Sequence, residues 1–83
     1  MKFPFPDGFN KGDYVLFLNC FYGCKDPEIG DVIICRHHEN PHLIHRVVAI
    51  LADGNPVTKG DANKYIDPYP CDNMIGEVLY KFP

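Results

Sequence analysis

The sequence contains no serine. Within these 83 residues a serine–histidine–acid site therefore has no nucleophile, and beyond the tyrosines the single threonine, Thr58, is the only other hydroxyl side chain. Long apolar runs are also missing. A membrane helix needs roughly 20 predominantly apolar residues, whereas the longest run, Val47 to Ala52, has six members and fits a buried strand. The opening Met1-Lys2-Phe3-Pro4-Phe5-Pro6 sets prolines where a signal peptide requires a helical apolar segment. The chain as written is therefore expected to be soluble. No block of like charge accompanies the net charge of -3, which removes the electrostatic footprint of a nucleic-acid binder.

What remains is an ordinary globular composition, 46% apolar and 23% charged, which excludes a disordered or fibrous chain. At 83 residues the chain supports one core, so residues 1–83 are read as a single domain with an irregular segment over 1–10. The pattern is strand and turn. Residues 14–20, 31–36, 43–51 and 75–82 are rich in aromatic and branched side chains and are bounded by Gly, Pro, Asn or Asp. A fifth strand is expected over 56–59, entered through Ala52-Asp53-Gly54-Asn55, whose Asp-Gly pair supplies positive φ values for a hairpin. Eight prolines and seven glycines leave no room for a three-turn helix, with at most a short turn near residues 70–74. The expected fold class is all-β, with hairpins and irregular loops.

Lys11-Gly12-Asp13-Tyr14-Val15-Leu16 echoes Ile29-Gly30-Asp31-Val32-Ile33-Ile34. In each, glycine permits a tight entry to a strand and the aspartate is placed to accept from turn amides. The four cysteines at 20, 24, 35 and 71 leave three readings open: two disulfides, reduced core residues, or a zinc site of Cys20, Cys24 and Cys71 with His37 or His38.

Ile44-His45-Arg46-Val47-Val48 carries the chemistry. Strand alternation sets His45, Val47, Ala49 and Leu51 on one face and Ile44, Arg46, Val48 and Ile50 on the other. A histidine among apolar neighbours is partly desolvated, which favours its neutral, proton-accepting form and suits a general base. Beyond it, Thr58-Lys59-Gly60-Asp61-Ala62-Asn63-Lys64-Tyr65-Ile66-Asp67-Pro68 holds a glycine turn and two carboxylates able to fold back toward the hairpin. A carboxylate that accepts from one imidazole nitrogen fixes the tautomer and leaves the other nitrogen to take a proton.

Three ordered segments, Glu28-Ile29-Gly30-Asp31-Val32-Ile33, Ile44-His45-Arg46-Val47-Val48 and Thr58-Lys59-Gly60-Asp61-Ala62-Asn63 with Asp67-Pro68, resemble the later boxes of type I signal peptidases. Ile75-Gly76-Glu77-Val78 resembles the closing strand of the same family. The likeness is to the archaeal and endoplasmic-reticulum branch, where a histidine replaces the lysine base. It implies a mostly β, membrane-anchored serine endopeptidase that removes signal peptides from exported proteins and binds the substrate as an added strand. By position it makes His45 the base, with Asp61 and Asp67 as the acids that orient or support it. The family places its serine in a Ser-Met-x-Pro segment after a membrane anchor; the corresponding region here, Met1 to Asn10, has neither.

The chain is thus expected to be a signal-peptidase-like domain that does not cleave as written. It would face the extracytoplasmic side of a membrane if an anchor precedes it and be soluble otherwise. Its expected partner is an extended peptide, such as the signal-peptide segment of an exported protein, with no cofactor or metal required. Two alternatives are a noncatalytic peptide-binding or assembly module on the same fold, and a small metal-binding domain using the cysteines with His37, His38 or His42.

Overall fold

The computed structural model describes residues 14–36 and 43–82. They form five strands, β1 (Tyr14–Asn19), β2 (Val32–Cys35), β3 (Leu43–Ile50), β4 (Pro56–Lys59) and β5 (Met74–Phe82), in one antiparallel sheet of order β1-β5-β2-β3-β4. The fold is all-β, with four strands where the branched and aromatic segments place them and the fifth after the turn over residues 52–55. One short element was not anticipated: a 3₁₀ turn over Cys20–Tyr22, capped by the Asn19 side chain accepting from the Phe21 amide at 2.9 Å. The turn near residues 70–74 contains no helix.

Strand β2 explains the shape of the core. Its four consecutive apolar residues are all buried, as expected of a central strand covered on both faces. On one side Ile33 and Cys35 pack with Val47, Cys71 and Met74; on the other, Val32 and Ile34 pack with Val78, Val15, Ile44 and Ile75. Gly76 is buried on the second side, where an added Cβ would lie 2.8 Å from Phe17 Cδ2 and 3.2 Å from Ile34 Cδ1. There a close approach, not a special φ, requires glycine.

The cysteines resolve into the disulfide reading, Cys20–Cys24 and Cys35–Cys71. Cys35 does sit in the core, yet bonded and not reduced. With all four sulfurs paired, no thiolate is left for the zinc alternative; His37, His38 and His42 lie outside the described residues.

Two expectations about β3 need correction. Alternation holds only from Leu43 to Val47, because the register to β4 slips between Val47 and Ala49, so Val48 occupies a bulge and Leu51 lies beyond the strand in an exposed turn. Nor does the Asp53-Gly54 pair supply positive φ at both of its residues. The hairpin loop runs from 51 to 55, closed by Gly54 N to Leu51 O and Leu51 N to Asn55 O at 2.9 Å each, and only Gly54 has positive φ. Asp53 instead accepts from the Asn55 amide at 3.0 Å.

The second Gly-Asp start behaves as its chemistry suggests. Gly30 has φ +99°, and Asp31 Oδ2 accepts from the Glu28 amide at 2.9 Å while Asp31 N donates to Glu28 O. Gly30 N and Asp31 O then pair with Val47 O and N at 2.8 Å, which ties the entry of β2 to β3. The first copy, at Gly12-Asp13, lies outside the described residues.

Candidate functional site

His45 stands opposite Ile33 of β2, and two residues on, Val47 stands opposite Thr58 of β4. These side chains share one face of the sheet. After β4 the chain turns over residues 60–63, with Asn63 N donating to Gly60 O at 2.9 Å, and then returns along the outer edge of β4. Asp67 N donates to Thr58 O and Cys71 N to Pro56 O, both at 2.8 Å, so this return segment is held by main-chain bonds and carries Asp67 to the histidine.

The result is a convergence on one carboxylate oxygen. His45 Nδ1 and Thr58 Oγ1 each lie 2.5 Å from Asp67 Oδ2. The histidine and aspartate side chains are 18% and 12% exposed, and Thr58 is wholly buried. An ionised carboxylate only accepts, so both partners donate, and the neutral imidazole carries its proton on Nδ1 with its lone pair on Nε2. That nitrogen is the one able to accept a proton from a hydroxyl or a water.

Nε2 faces the glycine turn. A Cβ on Gly60 would lie 3.0 Å from His45 Nε2 and 2.7 Å from Asn63 Nδ2. The missing side chain therefore lets an imidazole acceptor and an amide group lie over the same backbone. Beside them is a cleft of about 190 Å³, walled by residues 44–46 on one side and residues 60–63 on the other. Strand β4 pairs with β3 only from Arg46 onward, so Leu43, Ile44 and His45 have β2 on one side and, among the described residues, no strand on the other.

The two predicted acids separate. Asp67 is the carboxylate on His45, whereas Asp61 takes a bidentate bond from Arg46, with Nε to Oδ1 at 2.9 Å and Nη2 to Oδ2 at 3.0 Å. Arg46 Nη1 also donates to Gly30 O at 3.1 Å, so this guanidinium joins the turn before β2 to the turn after β4. Asp61 thus shapes the cleft wall. Thr58 and Asn63 were missed as site residues: Thr58 reads as one strand hydroxyl among apolar neighbours, and nothing in the local pattern around Asn63 points to His45.

Neither the threonine nor the cysteines offer a nucleophile at Nε2. Thr58 is buried and directed at Asp67, and the cysteines are in disulfides. Among the described residues no group of three or more metal-ligating side chains is present. Likewise no described helix is long and apolar enough to cross a membrane.

No protein-family model matches the chain, and no solved structure matches it. A similar protein is the UDP-glycosyltransferase FPY2 of Fusarium mangiferae, 33% identical over 60 residues, which is 72% of this chain. The chain spans 9% of the length of that relative, so the name describes a far longer protein.

Proposed function

We propose that this domain is a signal-peptidase-like unit that recognises an extended peptide and presents a histidine base to it, but does not cleave the peptide with these 83 residues alone. The observation that carries the reading is the His45–Asp67 pair, whose geometry leaves Nε2 as a proton acceptor at the mouth of a cleft. The ordered motifs around residues 28–33, 44–48, 58–67 and 75–78 support the same family. Beside His45, the edge of β3 that no described strand covers supports main-chain pairing with a peptide strand.

In this mechanism the peptide lies along residues 43–45, and Asp67 holds the imidazole in the tautomer that accepts at Nε2. Acyl transfer then needs a hydroxyl within reach of Nε2, which in the family is a serine. This sequence has none, and loss of the nucleophile from a triad costs about a millionfold in turnover. A second reading, a noncatalytic peptide-binding or assembly module on the same fold, is favoured by the same fact and by the buried position of Thr58.

Titrating a 15N-labelled domain with a peptide spanning a signal-peptide cleavage region tests the proposal. The expected result is amide shifts confined to residues 43–46 and 60–63, with the peptide intact. Shifts confined to other elements, or none at millimolar peptide, would remove the recognition part. Cleavage that disappears in His45→Ala would instead show that a nucleophile is present.

A further inference from the structure

The structure assigns to Thr58 a positioning role: its hydroxyl locks the Asp67 carboxylate so that His45 keeps its proton on Nδ1. This rests on the reading of His45 as a base and adds a third member to the pair. A lone strand threonine is ordinarily a packing residue. Here it is fully buried, and its hydroxyl is directed at the same Asp67 oxygen that His45 uses.

Thr58 grips Asp67 twice. Its carbonyl accepts from the Asp67 amide at 2.8 Å, which fixes the backbone, and its hydroxyl donates to Oδ2, which fixes the carboxylate torsion. That torsion is otherwise broad and roughly two-fold, so a carboxylate held by the imidazole alone can pivot and exchange its oxygens. Each pivot loosens the Nδ1–H bond and admits the tautomer with its proton on Nε2, which cannot act as a base. The hydroxyl removes that freedom. Burial strengthens the effect, because Thr58 is fully buried and solvent has no access to its hydroxyl. Thr58 stands opposite Val47 in the core, so its Cβ is set by packing and the hydroxyl has one productive direction.

The test is imidazole 15N spectroscopy on the 83-residue chain across pH, with Thr58→Val, Thr58→Ser and Asp67→Asn. The wild type and Thr58→Ser are expected to show one dominant Nδ1–H tautomer for neutral His45. In Thr58→Val, which keeps the shape and loses the hydroxyl, the two ring nitrogens should move toward averaged positions. If Thr58→Val matches the wild type while Asp67→Asn shifts His45, the role of Thr58 is overturned and the base–acid pair stands. If neither variant moves His45, the base reading itself fails. Should Thr58→Val not fold, the wild type still decides the question. A slowly exchanging Thr58 hydroxyl proton with a contact to the His45 ring supports the proposal, and its absence in the cold overturns it.

Discussion

Removing the Cys35–Cys71 disulfide should cost this domain much more than removing Cys20–Cys24. The bonds close loops of very different size, with sequence separations of 36 and 4. Loop-closure entropy assigns about 4 kcal/mol to the first and about 2 kcal/mol to the second. A chain of this length has a total stability of about 4–12 kcal/mol, so the longer bridge is a large fraction of the whole. It also packs in the core, both cysteines being 1% exposed, and it ends the segment that brings Asp67 to His45. Thermal unfolding of Cys35→Ala/Cys71→Ala and Cys20→Ala/Cys24→Ala measures both. At ~4–8 °C per kcal/mol, the expected losses in midpoint are about 16–32 °C and about 8–16 °C. Equal losses, or a loss below ~1 kcal/mol for the Cys35–Cys71 pair, would refute the argument that loop closure governs the difference.

Three further outcomes follow from the geometry. Gly76→Ala places a methyl 2.8 Å from Phe17 Cδ2 and should destabilise by about 1–3 kcal/mol in denaturant titration, chiefly by prising β1 from β5. Arg46→Lys exchanges a bidentate grip on Asp61 and a bond to Gly30 O for a single point charge; a loss of about 1–2 kcal/mol is expected, together with faster amide exchange at residues 60–63. The pKa of Lys25 is raised above its ordinary value of 10.5, first by the charge of Asp31 and then by Glu28 and Glu77. A raised folded-state value means that the stabilisation is complete below the unfolded value of 10.5 and is lost as pH rises through the folded pKa. The stability difference between the wild type and Lys25→Met should therefore persist at neutral pH, vanish in strong alkali and shrink with salt.

The fold was largely legible because its signals are local. Branched and aromatic runs with Gly, Pro, Asn or Asp at their ends mark four of the strands and the turn over residues 52–55 marks the fifth, but the Val47–Ala52 run, read as a buried strand, is exposed at Val48, Ile50 and Leu51. What local pattern does not carry is register. The slip at Val48 is invisible in an unbroken run of apolar residues, since either parity of Val48-Ala49-Ile50 leaves an acceptable strand. Disulfide pairing is similarly nonlocal: Cys35 and Cys71 meet because the segment after Asp67 runs back along β4, which no periodicity announces.

The same distinction decides the acids. His45 and Arg46 are neighbours in sequence but point to opposite faces of β3, and each draws one carboxylate from the segment after β4. Asp61 leaves the strand at once and meets the arginine; Asp67 must travel along β4 before its amide reaches Thr58 O and its side chain reaches the histidine. From the sequence the two acids were equivalent candidates, and only the strand face occupied by each partner separates them. This separation predicts distinct phenotypes. Asp67→Asn should change the tautomer balance of His45 with little effect on the turn, whereas Asp61→Asn should loosen residues 60–63 and leave the dominant His45 tautomer in place. Imidazole 15N shifts and amide exchange, measured on both variants, read the two effects independently. Should Asp61→Asn alter the His45 tautomer as strongly as Asp67→Asn, the acids would act as one network, and the division of labour between the two faces of β3 would be wrong.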